Sequence, residues 1–260
     1  MVKPILINGF PRSGTTYLFR YLQWKFGEAL FEPLTSPQVA VEFIKDERLK
    51  RDLLIKNPWN VNASFYRSWW IYDTKTLEEF KELVKGIPLK EVTLHFYLDL
   101  FQDGWEVYHI IRHPADNYFS YVNYFYGGRG FGRKLAFSAL KGLAKLGFDS
   151  HKFFALWEMA TRICPISSYS KIRRSFEAAF VYMWTVANWT ALKTLGERRI
   201  LVYEKPETLE TLPEFREFSK NNPFKKKTYE GREKLFKKFD ALAREVGVGE
   251  EFELLMELMR

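Results

Sequence analysis

The segment Ile5–Leu22, ILINGFPRSGTTYLFRYL, decides the fold. A short apolar run is followed by a loop bounded by Gly9 and Gly14, and apolar residues then recur at helical spacing (Tyr17, Leu18, Tyr21 and Leu22). A buried strand, a glycine-bounded loop and a helix in this order are typical of a phosphate-binding loop. Thr15 stands where nucleotide hydrolases of this type carry an invariant lysine. The segment therefore predicts an anion-binding loop that works without that lysine.

The loop residues have the chemistry that an anion needs. Gly9 and Gly14 allow the backbone to approach a ligand closely, and Arg12 supplies a fixed positive charge. The backbone amides of residues 13–16 point outward from a helix N-terminus, where the helix dipole favours negative charge. We therefore expect a phosphate or sulfate group to bind here, and the alternative is a plain turn between a strand and a helix. The candidate ligand-binding residues are Arg12, Ser13, Gly14, Thr15 and Thr16.

Strand-like and helix-like segments alternate along the rest of the chain. Strands are predicted around Pro88–Val92, Val107–Ile111 and Ile200–Tyr203. Helices are predicted up to Gly86, from Thr93 and just after Pro114. This alternation predicts the α/β class, with a mainly parallel, P-loop-like central sheet that is flanked by helices and binds ligands at the carboxyl ends of its strands.

We expect residues 1–260 to form a single domain, with a helical insertion at about 127–191. The insertion opens with the glycine-rich sequence GGRGFGR and continues through segments rich in Phe, Trp and Tyr. Those aromatic residues either fill a helical core or line an acceptor pocket. The C-terminal segment is predicted to form basic amphipathic helices.

Composition restricts the class of protein. The chain has 260 residues and a formal net charge of +8, which fits an anionic ligand, a nucleic acid, a membrane surface or simply a charged, solvated exterior. The single cysteine, Cys164, excludes an intramolecular disulfide and a zinc site made of several cysteines. We expect a cytoplasmic protein with no membrane span, because no signal-peptide pattern and no apolar stretch of about 20 residues is found. Scarce glutamine beside abundant Lys and Glu resembles the composition of thermophile proteins.

Two motifs give a specific resemblance. The sequence GFPRSGTTYL, from Gly9 to Leu18, resembles the 5′-phosphosulfate loop of sulfotransferases that use 3′-phosphoadenosine 5′-phosphosulfate (PAPS), and IIRHPADNYFSY resembles their 3′-phosphate motif. The segments FEP at Phe31–Pro33 and LVYEKPETL at Leu201–Leu209 are similar to two further stretches of that family, in the expected order. The resemblance covers roughly residues 5–209.

The resemblance implies how PAPS, and its product 3′-phosphoadenosine 5′-phosphate (PAP), would be bound. Residues 12–16 would bind the 5′-phosphate, while Arg112 and Ser120 would hold the 3′-phosphate. Tyr17 and Tyr203 would lie near the adenine. The chain departs from the family pattern at His113, where many members have Asp or Asn, at Lys205, which replaces an Asp, and in lacking a clear C-terminal R-K-G stretch. The basic segment at 224–232, FKKKTYEGR, is the candidate substitute, as a mobile lid.

The catalytic residues are less directly implied, because the family's K-T-H segment has no literal match. Lys90 in PLKEVTLHF corresponds best to its lysine, and the competing segment, IKNPWN, lies far upstream. Glu91 is then the candidate general base and His95 its rival. Strand alternation would place Lys90 and Glu91 on opposite faces unless the chain bends there. Together with Arg12, these residues form the predicted catalytic set.

The resemblance thus implies an enzyme, a transferase that moves a sulfuryl group from PAPS to a hydroxyl or amine of a small-molecule or glycan acceptor. This scheme requires no metal, and the chain contains no recognised nucleic-acid-binding module. One alternative is a P-loop nucleotide or small-molecule kinase, although Thr15 replaces the lysine that such a loop directs at the β- and γ-phosphates. The other is a non-enzymatic nucleic-acid-binding protein.

Overall fold

The computed structural model describes residues 3–56, 72–126, 172 and 175–260. In chain order its elements are β1 (Ile5–Gly9), α1 (Thr15–Phe26), β2 (Leu30–Phe31), α2 (Pro37–Ala40), α3 (Glu47–Lys56), α4 (Thr74–Leu83), β3 (Leu89–Glu91), β4 (Glu106–Ile111), α5 (Pro114–Tyr126), α6 (Phe176–Leu195), β5 (Ile200–Val202), α7 (Pro206–Leu209), α8 (Phe215–Asn221), α9 (Arg232–Glu245) and α10 (Gly249–Met259). Short 3₁₀ helices cover Val41–Phe43, Leu98–Phe101 and Glu197–Arg199. Within the described ranges, no helix combines the length and apolar character that crossing a membrane requires.

The five strands form one parallel sheet in the order β2-β3-β1-β4-β5. In this sheet β1 is central, and its residue Ile7 pairs with Lys90 of β3 on one side and with Tyr108 of β4 on the other. The predicted α/β class with a parallel central sheet is therefore confirmed. All five residues of β1 are buried, as expected for a strand that is covered on both faces.

Side chains of β1 alternate between two cores. Leu6 packs on one face, in a cluster with Leu34 and Leu89. Ile5 and Ile7 pack on the other face, in a cluster that includes side chains of α1 and α8. The predicted coverage of both faces is thus confirmed, and the alternation gives each face its own set of side chains.

The described residues group into two compact units. The first, Met1–Ile111 with Thr190–Lys226, contains the sheet. In the second, Arg112–Trp189 with Lys227–Arg260, α5 packs against α9, and the rings of Tyr118 and Phe239 lie with their centroids 5.4 Å apart. The single domain predicted over residues 1–260 stays a prediction.

The predicted insertion at 127–191 is described only in part. Residues 127–171, with Cys164, and residues 173–174 lie outside the described residues. The end of the insertion belongs to α6. The competing segment IKNPWN also lies outside, apart from its first residues at the end of α3.

Two helix boundaries differ from the predictions. The helix predicted to run to Gly86 ends at Leu83, and Gly86 takes a left-handed conformation with φ of 83° in the turn that follows. The helix predicted from Thr93 is wrong, because residues 92–97 form turns before the 3₁₀ helix. The reason is a long-range contact: the backbone N–H of Leu94 donates to the side chain of Asn8 in β1, at 3.2 Å. This bond fixes the chain against the sheet and replaces the local pattern of a first helical turn.

Candidate functional site

The loop between β1 and α1 contains two left-handed residues, Arg12 and Gly14. Gly14, directly before α1, has φ of 105°, and Arg12 is also left-handed with φ of 72°. A Cβ atom at Gly9 would lie 2.6 Å from Ser13 Oγ, so this position also requires glycine. The first residues of α1 directly follow this turn, as the sequence predicts.

The loop contains a buried hydroxyl group, that of Ser13. Ser13 is fully buried, yet within the described part of the chain its hydroxyl group has no hydrogen-bond partner. An unsatisfied buried hydroxyl is unfavourable unless something binds it. Together with the start of the 12-residue helix α1, it fits the oxygen of a phosphate or sulfate group.

The buried ion pair of Lys90 and Glu32 belongs to the same unit. Lys90 is 1% exposed, and its Nζ donates a hydrogen bond to Glu32 Oε1 and lies 4.2 Å from the ring centroid of Phe31. Burial lowers the pKa of Lys90; the Glu32 carboxylate opposes this shift, and the positive charge of Arg12 adds to it. The predicted residues Arg12 and Lys90 are therefore close enough to interact, and Glu32 joins them.

Glu91 leaves β3 on the face opposite Lys90. Lys90 is in register with Ile7, and Glu91 is in register with Asn8, so the two side chains follow the two faces of β1. The Glu91 side chain is fully buried, and its Oε2 accepts a hydrogen bond from the N–H of Leu34, 3.0 Å away. Burial, and then the charge of Glu32, raise the pKa of Glu91 to about 7. The Glu91 side chain therefore leaves the strand on the face opposite Lys90, although the two charges are close enough to interact.

His95 lies on the same face as Glu91, in a buried polar network. Its Nδ1 accepts from the Asn8 amide at 3.1 Å, and the same amide is 3.0 Å from His109 Nδ1. His95 Nε2 donates to the carbonyl of Val92 at 3.0 Å, which sets the tautomer. Burial, and then the neighbouring His109, hold the pKa of His95 well below its usual range. This network fixes the turn after β3, and the His95 ring lies with its centroid 6.2 Å from that of Phe10, in the loop that follows β1.

A cavity of about 470 Å³ opens beside the loop between β1 and α1. The predicted residues Tyr17 and Tyr203 both line it, together with Gly14, Arg20, Asn221, Asn222, Pro223, Phe224 and Lys225. The ring centroid of Phe224 is 4.9 Å from that of Tyr17 and 4.8 Å from that of Tyr203. A cavity of this size with three aromatic rings fits a flat heterocycle.

The residues predicted for a 3′-phosphate lie together in the second unit. Arg112 is 4% exposed, and its Nη2 donates to the carbonyl of Lys227 at 2.6 Å. Ser120, also buried, forms a hydrogen bond with the phenol of Tyr229. The N–H of Tyr229 in turn donates to Asp116 Oδ1 at 3.1 Å. The segment that begins at Lys227 is thus fixed against Arg112 and Ser120.

Tyr229 stands among positive charges in this unit. Lys227 Nζ lies 5.0 Å from its ring centroid, and the Arg112 guanidinium carbon lies 5.8 Å from it. Partial burial alone would raise the pKa of Tyr229, but hydrogen bonds with Ser120 and Lys227 and the charges of Lys227 and Arg112 lower it overall. These groups stabilise negative charge on the phenol oxygen, as an anion site would.

Three residues of the site were not given a role by sequence reasoning. Glu32 lies in the FEP segment, which is similar to a stretch of the family but does not itself indicate a chemical role for Glu32. Phe224 and Tyr229 both lie in FKKKTYEGR, which was interpreted as a basic lid. For Phe224 and Tyr229 the sequence does contain a signal, since an aromatic residue flanks each end of a basic run. In a chain that resembles a nucleotide-binding family, such aromatic residues are candidates for stacking on a base.

In comparisons with known proteins, no family model and no curated protein sequence matches this chain.

Proposed function

We propose that the chain is a sulfotransferase that moves a sulfuryl group from PAPS to a hydroxyl or amine of an acceptor. The observation that carries the proposal is the loop of residues 9–16, with its buried, unpartnered Ser13 hydroxyl, beside a cavity lined by Tyr17, Tyr203 and Phe224. In the part of the chain that the structure describes, this unit offers an anion-binding backbone and an aromatic cleft next to each other. Both are what an adenosine 5′-phosphosulfate group needs.

The loop and Arg12 would bind the 5′-phosphate of the donor substrate, and the aromatic cavity would take its adenine. Arg112 and Ser120 would bind its 3′-phosphate, with Tyr229 and Lys227 as further contacts. The lowered pKa of the Tyr229 phenol supports this assignment, because the donors and charges that stabilise its phenolate oxygen would also stabilise a phosphate oxygen.

Glu32 is the general base of this proposal. Its carboxylate is part-exposed, with a side-chain exposure of 21%, and it is paired with Lys90, whereas Glu91 and His95 are fully buried on the other face. In the reaction the acceptor oxygen or nitrogen forms a bond to sulfur as the bond from sulfur to the 5′-phosphate oxygen breaks. The acceptor proton passes to Glu32, while Lys90 and Arg12 stabilise the negative charge on the departing phosphate oxygen.

Thermal shift with a matched set of nucleotides tests the donor site. We expect PAP to raise the melting temperature more than ADP does, because only PAP offers a 3′-phosphate to Arg112 and Ser120. The shift should not depend on Mg²⁺. An equal or larger shift with Mg²⁺-ATP would replace this proposal with a P-loop kinase.

The Glu32→Gln variant tests the base. It should bind PAP within about twofold of wild type and lower the turnover of PAPS by roughly a hundred- to ten-thousandfold, the usual contribution of a positioned base. Glu42→Gln, the same chemical change on the 3₁₀ helix that follows α2, is the control and should keep full turnover. Full turnover in Glu32→Gln would remove Glu32 from this role.

A further inference from the structure

The Glu91 carboxylate is buried among four hydrogen-bond donors. Two directly follow its own strand, the N–H of Val92 at 2.8 Å and the hydroxyl of Thr93 at 3.4 Å. The other two follow β2 in the sequence, the N–H of Leu34 at 3.0 Å and the hydroxyl of Thr35 at 3.5 Å. The carboxylate therefore connects the end of β3 to the segment that follows β2.

That segment is the turn that carries Glu32. The N–H groups of Thr35 and Ser36 donate to the carbonyl of Glu32 at 3.1 and 2.7 Å, and the N–H of Glu32 donates to the carbonyl of Lys90 at 2.7 Å. Glu32 itself has φ of 47°, in the left-handed region that residues with a Cβ rarely adopt. Such a conformation persists only where surrounding contacts hold it.

The Thr35 hydroxyl lies between the two carboxylates. Its oxygen lies 3.4 Å from Glu32 Oε2 and 3.5 Å from Glu91 Oε1, and its one hydrogen is donated to one of them at a time. Lys90 binds the same Glu32 carboxylate from the other face of the sheet. The consecutive residues Lys90 and Glu91 thus hold one turn from two sides.

We propose that Glu91 is a positioning residue: by accepting hydrogen bonds from Leu34 and Thr35, it holds the turn that directs the Glu32 carboxylate toward Lys90. The consequence for turnover rests on the proposed function, in which Glu32 is the base. The consequence for the turn itself does not, because it depends only on contacts within the first unit.

The arrangement requires two acceptor oxygens, which a carboxyl group supplies and an amide of the same size does not. Glu91 Oε2 faces the N–H of Leu34, and Oε1 faces the N–H of Val92. Glutamine has one acceptor oxygen and an NH₂ group, so one of the two backbone donors would face another donor. Glu91→Gln therefore breaks the connection with little change in volume.

Hydrogen exchange tests the turn without reference to any activity. In Glu91→Gln we expect the amides of Glu32, Leu34, Thr35 and Ser36 to exchange at least tenfold faster than in wild type, while those of α10 exchange at an unchanged rate. Glu106→Gln makes the same chemical change at the first residue of β4, and it should leave the turn as in wild type. Unchanged exchange at these four amides in Glu91→Gln would overturn the proposal.

Thr35→Val, a substitution at a part-exposed residue, tests the same turn if Glu91→Gln does not fold. It removes the hydroxyl that lies between Glu32 and Glu91 while nearly keeping the volume. It should speed exchange at the amides of Glu32, Leu34, Thr35 and Ser36 by a few-fold. If that variant folds and exchanges at the wild-type rate, the turn does not depend on these contacts.

A double-mutant cycle then tests the route through Glu32, with PAPS consumption by water as the measured reaction. Glu91→Gln should lower kcat about tenfold, with KM for PAPS and the PAP-induced thermal shift unchanged. In the Glu32→Gln background the same substitution should have no further effect. An equal loss in both backgrounds would show that Glu91 acts independently of Glu32. Absence of PAP binding would count against the proposed function, and the hydrogen-exchange rates would still decide whether Glu91 holds the turn.

Discussion

The ammonium group of Lys90, the middle residue of β3, donates a hydrogen bond to the carboxylate of Glu32, which directly follows β2. The lysine is 1% exposed, and its burial lowers its pKa, whereas the carboxylate favours the charged form. A cation is thus kept inside the protein by a partner that is itself partly open to solvent. Removing that partner leaves the cation without this compensation.

We expect Glu32→Gln to lower the free energy of unfolding by about 1 to 3 kcal/mol, because the buried Lys90 loses its charged partner. Urea unfolding at neutral pH measures this loss. The Glu32→Gln/Lys90→Met double variant should recover at least half of it, since no buried cation remains at this position. If the two substitutions destabilise additively, Lys90 and Glu32 are not energetically coupled.

The loop between β1 and α1 should not tolerate a side chain at Gly14. Alanine there would have φ of 105°, and its Cβ would lie 2.7 Å from Cδ2 of Tyr203. We expect a loss of about 2 to 3 kcal/mol in unfolding free energy, together with weaker PAP binding. Gly27→Ala is the matched control, because Gly27 is also left-handed, with φ of 78°, and nothing lies within 4 Å of an added Cβ. It should lose about 1 kcal/mol, and equal losses in both variants would mean that contact with Tyr203 is unimportant.

Phe224→Ala should weaken binding of PAP, ADP and AMP by similar factors. Its ring lies close to both Tyr17 and Tyr203 at the cavity. Its removal therefore takes away an apolar surface that would contact the adenine, which all three nucleotides share. We expect a loss of about 1 to 2 kcal/mol in isothermal titration calorimetry, roughly tenfold. Tyr124→Ala, at a tyrosine that is 58% exposed on α5, should bind all three as wild type does. A loss confined to PAP would place Phe224 near the 3′-phosphate.

Arg112→Ala should separate PAP from AMP. The variant removes a buried guanidinium group, a charge-assisted contact worth about 1.5 to 3 kcal/mol, so PAP should bind roughly ten- to a hundredfold more weakly. AMP, which lacks the 3′-phosphate, should bind almost as before. An equal loss for both nucleotides would show that Arg112 supports the structure, through its bond to the carbonyl of Lys227, and does not recognise the 3′-phosphate.

The parts of the fold that were predicted correctly depend on local patterns. The apolar runs of β1 and β4 are strong enough to define buried strands, and the glycines of the loop define the turn into α1. Alternation along a strand also predicted that Lys90 and Glu91 would face opposite sides. These features need only a few neighbouring residues.

The parts that sequence reasoning missed depend on contacts between distant residues. The turn after β3 is held by Asn8, 86 positions away from Leu94, and no local pattern announces that bond. Tyr17 donates to the carbonyl of Asn222, 205 positions away, so the role of the neighbouring Phe224 depends on the fold. Glu32 and its partner Lys90 are 58 residues apart, so their ion pair also depends on the fold and not on a local pattern.

Stability should depend on pH through Glu91. Burial is the largest cause that raises its pKa from 4.5 to about 7, and the groups that interact with it are the carboxylate of Glu32, the ammonium of Lys90 and the phenol of Tyr72. Between pH 4.5 and 7 the folded protein therefore binds more protons at this site than the unfolded chain does. The contribution is fully present below pH 4.5 and is lost as pH rises through 7, a decrease of about 3 kcal/mol in unfolding free energy.

Glu91→Gln should remove this dependence, because an amide does not titrate. Urea unfolding measured from about pH 4.5 to 8 should show a free energy that falls with pH in wild type and falls by about 3 kcal/mol less in the variant. Glu106→Gln, at a residue that is part-exposed and paired with Arg199, should retain the wild-type slope. If Glu91→Gln and wild type have parallel profiles over this range, the Glu91 carboxyl group stays ionised in the folded protein throughout. Its hydrogen bonds from Leu34 and Val92 would then outweigh its burial, and the turn at Glu32 would be held equally well at both ends of that pH range.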